Sequence, residues 1–172
     1  MLRLLKRLWT SFWKTYAVKP DKERTPLDYP ATFFRGVQKM NDVDANYYLK
    51  SSAFLFGSQI RDEDGMRELS IVWNDCDEAL GTLLNQKNKN GTGYQFEPGY
   101  ATIQLSRFTS TVVNHIQRGM VSYERKAIVE DKENGIEPNP YHGNILLHKT
   151  ASEQMKKNIQ HTLATLATFS RR

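Results

Sequence analysis

A single cysteine, Cys76, stands in 172 residues. One thiol excludes an internal disulfide framework and a zinc site built from several cysteines. It fits a reducing cytosol, although a secreted chain without disulfides reads the same way. Long apolar runs are also missing. No stretch approaches the roughly 20 apolar residues that cross a bilayer, and charges interrupt every apolar run near the start, with no small-residue cleavage site after them. Neither a membrane span nor a signal peptide is expected, which points to a cytoplasmic or membrane-peripheral chain. Histidine is sparse and scattered at 115, 142, 148 and 161. His142 and His148 are six apart across an expected strand and share a face, but no cysteine or carboxylate sits at ligand spacing with them, so no metal is expected. Cys76 is flanked by Asp75, Asp77 and Glu78, which oppose a thiolate. Glycine-rich dinucleotide or phosphate loops, a nucleophile elbow and a zincin motif are all lacking, and no cofactor is expected.

What remains is the composition of a globular protein, with 39% hydrophobic and 25% charged residues in a length that suits one domain. The net charge of +5 is unevenly placed. Residues 1–24 hold seven Lys/Arg against Asp21 and Glu23, which accounts for all of it, and the remainder balances to zero. A basic surface over the whole molecule is therefore not implied.

Residues 1–18 read as a basic amphipathic helix. Leu5, Leu8, Trp9, Phe12 and Tyr16 follow a three-to-four-residue period, with Leu2 and Trp13 widening the stripe, and Arg3, Lys6, Arg7 and Lys14 fall to its sides and back. Three uses compete: docking the aromatic stripe on protein, lying on an anionic membrane surface, and contacting nucleic acid. Pro20, Pro26 and Pro30 with alternating charges make 19–30 a linker, which leaves 31–172 as a single domain.

Within that domain, strands are expected near 31–37, 50–57, 67–73, 121–130 and 143–148, and helices near 75–85, 98–118 and 150–169, with Thr102, Thr109, Thr111 and two valines favouring an extended start to the second helix as the alternative. The fold class is α+β, a mostly antiparallel sheet packed with three helices. The C-terminal unit is the most decided part. Pro138-Asn139-Pro140 breaks the chain before the apolar run Ile145-Leu146-Leu147, and Thr150 with Glu153 has capping-box spacing. Met155, Ile159, Leu163 and Leu166 then recur at helical spacing, so Leu146, Ile159 and Leu163 are expected to be buried together. Asp75 with Glu78 repeats the capping-box spacing, and Gly119 suits the residue just past a helix end.

Two resemblances bear on function. Phe34-Arg35-Gly36, Phe108-Thr109-Ser110-Thr111 and Tyr123-Glu124 stand in an order similar to that of the three motifs of Arg–Ser–Glu ADP-ribosyltransferases. That likeness implies Arg35 and the Ser/Thr stretch around a dinucleotide, and Glu124 facing a developing ribosyl cation. It departs in lacking a Glu-x-Glu pair and in placing Arg125 and Lys126 directly after Glu124. Phe34-Arg35-Gly36-Val37, Ser51-Ser52-Ala53-Phe54, Glu68-Leu69-Ser70-Ile71 and Asn139-Pro140-Tyr141-His142, spread over 33–166, resemble a group of small bacterial proteins of uncharacterised role. That likeness implies a bacterial origin and a place among defence- or toxin-linked genes, without a catalytic role. A proline turn before a strand explains Asn139 to His142 equally well.

The leading expectation is a non-enzymatic interaction or accessory subunit of a bacterial multi-protein system, docking a protein partner through Leu5, Leu8, Trp9, Phe12 and Tyr16. The rivals are an ADP-ribosyltransferase-like enzyme using Arg35 and Glu124, and a membrane-surface or nucleic-acid binder using Arg3, Lys6, Arg7 and Lys14.

Overall fold

The computed structural model describes residues 29–88, 91–131 and 136–172. Their centre is one antiparallel sheet in the order β4-β5-β2-β1-β3-β6. The strands are β1 (Thr32–Val37), β2 (Met66–Trp73), β3 (Gly99–Gln104), β4 (Val121–Arg125), β5 (His142–His148) and β6 (Thr168–Arg171). Three helices accompany them: α1 (Asp77–Asn85), α2 (Leu105–Gln117) and α3 (Glu153–Leu166). The class is α+β.

Period-two alternation sends Phe33, Val37, Leu69, Ile71, Trp73, Ile145 and Leu147 to one face. There α2 contributes Phe108 and Val112, α3 contributes Ile159 and Leu163, and a 3₁₀ turn at Ser51–Phe54 adds Ala53 and Phe54. Each such side chain taken wholly out of water contributes about 1.5–3 kcal/mol. Tyr29 lies within the span expected as linker, and its ring packs 4.8 Å from that of Trp73. Among the described residues the opposite face is covered only in part, where Ala79 and Leu83 of α1 and Phe96 close over Phe34 and Val72.

Several expected elements differ. Residues 50–57 do not form a strand. Ala53 N–H donates to Lys50 O at 3.0 Å, and the consecutive Ala53 and Phe54 are both buried, which alternation against one face cannot achieve. The stretch 98–118 divides at residue 105. Gly99, Ala101 and Ile103 alternate inward as β3 before helical spacing takes over in α2. The last helix begins from Ser152, whose hydroxyl accepts Met155 N–H at 3.1 Å, so Thr150 is not the cap. It ends at Leu166, and the chain continues as β6 along the edge of β3. Asp75 does not cap α1 either. Cys76 holds that position without a side-chain bond, while Asp75 pairs in two-pronged fashion with Arg125 at 2.7 Å. Strand β4 stops at Arg125 rather than 130. Leu146 is buried, but it faces away from Ile159 and Leu163, because it lies one residue out of phase with Ile145 and Leu147. Gly119 has φ +67° just past α2, as its position suggested.

Candidate cleft on the half-covered face

The cleft begins as a fork in the sheet. β1 pairs with β3 over six residues, yet it pairs with β2 only at Phe33↔Trp73 and Phe34↔Val72. Beyond Phe34 the two strands part. Ser70 O, left without a strand partner, accepts Nη1–H of Arg35 at 2.8 Å, and Arg35 Nε donates to Ala53 O at 3.4 Å. Farther along, Glu68 O accepts from Gly57 N–H and Met66 O from Arg61 N–H, so the 57–61 segment replaces β1 beside β2. The fork thus satisfies its own backbone, as buried peptide groups require.

One wall is a hairpin arm. Past Arg125↔Gly143 the β4–β5 ladder continues through Ile128↔Asn139 and Asp131↔Ile136. The opposite wall is the end of α1 with the segment after it. Between them lies a cleft of about 930 Å³, floored by Phe34, Gly36, Glu68, Ser70 and Val72 and walled by Leu55, Lys87, Phe96, Ile136, Asn139 and His142, among others. Gly36 is required in the floor, because a Cβ there would run into the Phe96 ring. Gly143 is similarly constrained. The space of its missing Cβ is where the Trp73 indole N–H reaches Glu124 O at 3.2 Å.

Beside the cleft runs a polar row in cross-strand register, Ser70–Asn144–Glu124. Arg61 is its hub. Its Nη1 lies 2.7 Å from Glu124 Oε1 and 3.2 Å from Glu68 Oε1, and its Nη2 lies 2.8 Å from Asp64. Its Nε sits 3.2 Å from Glu63 Oε1 without hydrogen-bond alignment, so that nitrogen stays unsatisfied. The same Glu124 oxygen accepts Asn144 Nδ2–H at 2.7 Å, and Glu68 Oε1 also takes Lys126 Nζ at 2.8 Å. Burial alone would raise the Glu68 carboxyl, but Lys126 and Arg61 together hold it below its ordinary value.

Three groups at the cleft are less well served. Arg35 is pushed down to about 10 by burial, against a smaller opposing pull from Asp42. Asn139 is fully buried. Its Oδ1 accepts Tyr141 N–H at 3.1 Å, which fixes the amide's orientation and leaves Nδ2 without a partner. His142 Nδ1 lies 2.7 Å from Lys126 O. A carbonyl only accepts, so the neutral ring carries its hydrogen on Nδ1 and keeps Nε2 as an acceptor. Burial lowers the imidazole's pKa.

The expected site residues are only partly brought together. Leu5, Leu8, Trp9, Phe12 and Tyr16, with Arg3, Lys6, Arg7 and Lys14, lie outside the described residues. Glu124 lies on the half-covered side, whereas Arg35 stands opposite Ala101 in the register of the helix-covered face and lines the cleft only where the strands fork, and β2 and β5 separate the two strands. Thr109 sits on α2 against the opposite face and meets the Tyr123 hydroxyl at 3.1 Å, a phenol pushed up to about 12 by burial. Ser110 and Thr111 donate to Arg107 O within the same helix. The three motifs therefore do not converge. His142 and His148 do share a face of β5, and among the described residues no group of His, Cys, Asp and Glu is arranged to hold a metal ion. No described helix is long and apolar enough to cross a membrane. Sequence reading passed over Arg61, Glu68 and Asn144. Polar residues at alternate positions, Glu68 and Ser70 in β2 and His142 and Asn144 in β5, were the available signal for the last two, and Arg61 offered none.

Compared with protein-family models, with curated proteins and with solved structures, the chain matches none.

Proposed function

We propose that this protein is a non-enzymatic accessory subunit of a bacterial multi-protein assembly, docking on a protein partner through residues 1–18. What supports a binding role for the folded part is the state of Glu124. Its Oε1 is taken by both Arg61 and Asn144 at 2.7 Å, so this carboxylate is a structural tie. A base fixed between a guanidinium and an amide is poorly placed to face a ribosyl cation. For the N-terminal segment, the support is the aromatic stripe of Leu5, Leu8, Trp9, Phe12 and Tyr16, a pattern suited to a helix laid in an apolar groove.

Capture of partners from the native host at low and high salt, with the full chain and with variants, tests this. A docking helix keeps its partner at high salt and loses it on Trp9→Ala or Phe12→Ala. Retention on anionic vesicles or nucleic acid that vanishes with salt, and with Gln at Arg3, Lys6, Arg7 and Lys14, would overturn the reading.

A further inference from the structure

We propose that the cleft at the β1–β2 fork is a binding site for a small organic oxyanion, a phosphomonoester or carboxylate with an apolar body, seated on Arg35. This does not depend on how residues 1–18 are used.

Arg35 has a structural duty, since it satisfies Ser70 O and Ala53 O. Those two bonds use Nε and Nη1, and Nη2 makes no hydrogen bond to a described residue. No carboxylate of the described residues pairs with this guanidinium within 4.0 Å, and Asp42 acts on it only through space. A half-buried guanidinium whose hydrogen-bond partners are only carbonyls has no paired counter-charge, and an oxyanion supplies one with the geometry a guanidinium matches best.

The other charged groups of the lining are Lys87, Glu68, Glu137 and His142. Of the two lining carboxylates, Glu68 is held at its Oε1 by Lys126 and Arg61, so its charge is compensated in place. Two of the lining residues are exposed apolar side chains, Leu55 at 61% and Ile136 at 44%, beside polar ones such as Lys87 and Gln95. A volume near 930 Å³ is far more than a bare anion fills, so the ligand carries an organic body.

Titration of the full chain with phenyl phosphate, benzoate and neutral benzyl alcohol, followed by backbone amide shifts, tests the site. The expected result is saturable binding of one or both anions at least about tenfold tighter than the alcohol, with shifts at Gly36, Gly57 and His142. Preference between the two anions names the headgroup, and either preference supports the site. Leu55→Glu places a carboxylate at the mouth on an exposed position where folding is safe, and it should weaken the anion about tenfold. Arg35→Lys keeps the charge but loses the fork, and should weaken it similarly if the variant folds. Equal binding of the alcohol, no binding of any probe, shifts confined to the basic residues 1–24, or indifference to Leu55→Glu would each overturn the proposal.

Discussion

The two faces of the sheet are built from the same strands under different physics. On the helix-covered face, Phe33, Trp73, Phe108, Ile145, Ile159 and Leu163 are all at most 1% exposed, and the Trp73 indole N–H is the one side-chain polar group among them, satisfied by Glu124 O. The other face carries Glu68, Ser70, Asn144 and Glu124 on the same strands, joined by Arg61 and Lys126. There Asn144 Oδ1, Asn139 Nδ2 and Arg61 Nε are buried without hydrogen-bond partners, against His115 Nδ1 of α2 on the helix side, among the described residues. Apolar packing tolerates rearrangement, whereas a polar network has either all its partners or a penalty. Stability belongs to the first face. Departures from the most stable solution collect on the second, which is where recognition is sought.

Truncating one leucine on each face should break or confirm that contrast. Leu163 is fully enclosed between α3 and the sheet, so Leu163→Ala should cost about 2–5 kcal/mol, read from the shift of a denaturant midpoint. Leu146 is 5% exposed but belongs to neither apolar cluster and is flanked across the strands by Glu68 and Ser122. Leu146→Ala should sit at the low end, about 2 kcal/mol, because water can enter beside polar neighbours. Equal and large losses would mean that both faces are cores.

A smaller effect is expected at the hub. Arg61 is 19% and Glu124 16% exposed at the side chain, so their pair is shielded without being dry. Arg61→Ala should cost about 1–3 kcal/mol, since it leaves Glu124 and Glu68 short of a donor. Glu124→Gln keeps an oxygen for Asn144 and Arg61 and should cost less. If Arg61→Ala is silent in chemical denaturation, the network is surface decoration.

The chain made its periodic parts legible and its exceptions much less so. Met155, Ile159, Leu163 and Leu166 announce α3 because each repeats the same helix face. Glu68 to Trp73 announces β2 by alternation. The boundary at residue 105 was only half legible: β-branched residues such as Thr102 favour an extended start, yet Thr102, Leu105 and Phe108 also satisfy a helical period across a real change of structure. Strand β6 was hidden because Thr168 and Phe169 extend the helical reading and only pairing with β3 decides against it. The cleft was out of reach altogether. It depends on β1 parting from β2 after Phe34, and on Arg61 reaching across to Glu124, both long-range events with no local pattern.

The finest test of the contrast is pH. His142 lies on the polar face, and the charged groups acting on its ring are Glu68, Lys126 and Glu124. Burial, the largest influence, disfavours the imidazolium and lowers its pKa. The bond to Lys126 O and the charges of Glu68 and Glu124 oppose this, and the Lys126 charge adds to it. In the unfolded chain an ordinary histidine titrates near about 6.5. Below that pH the unfolded state therefore binds a proton that the folded state resists, and stability falls as pH drops from about 6.5 through the lower folded value. The contribution is fully present above the unfolded pKa. With one proton at stake, the slope is at most about 1.4 kcal/mol per pH unit. Glu68, held low by its cations, responds only below the ordinary carboxylate range, so it does not share this window. Unfolding midpoints measured from pH 7.5 to 5.5 should decline more steeply for the native chain than for His142→Gln. Parallel declines would place His142 in water, and with it the polar wall of the cleft.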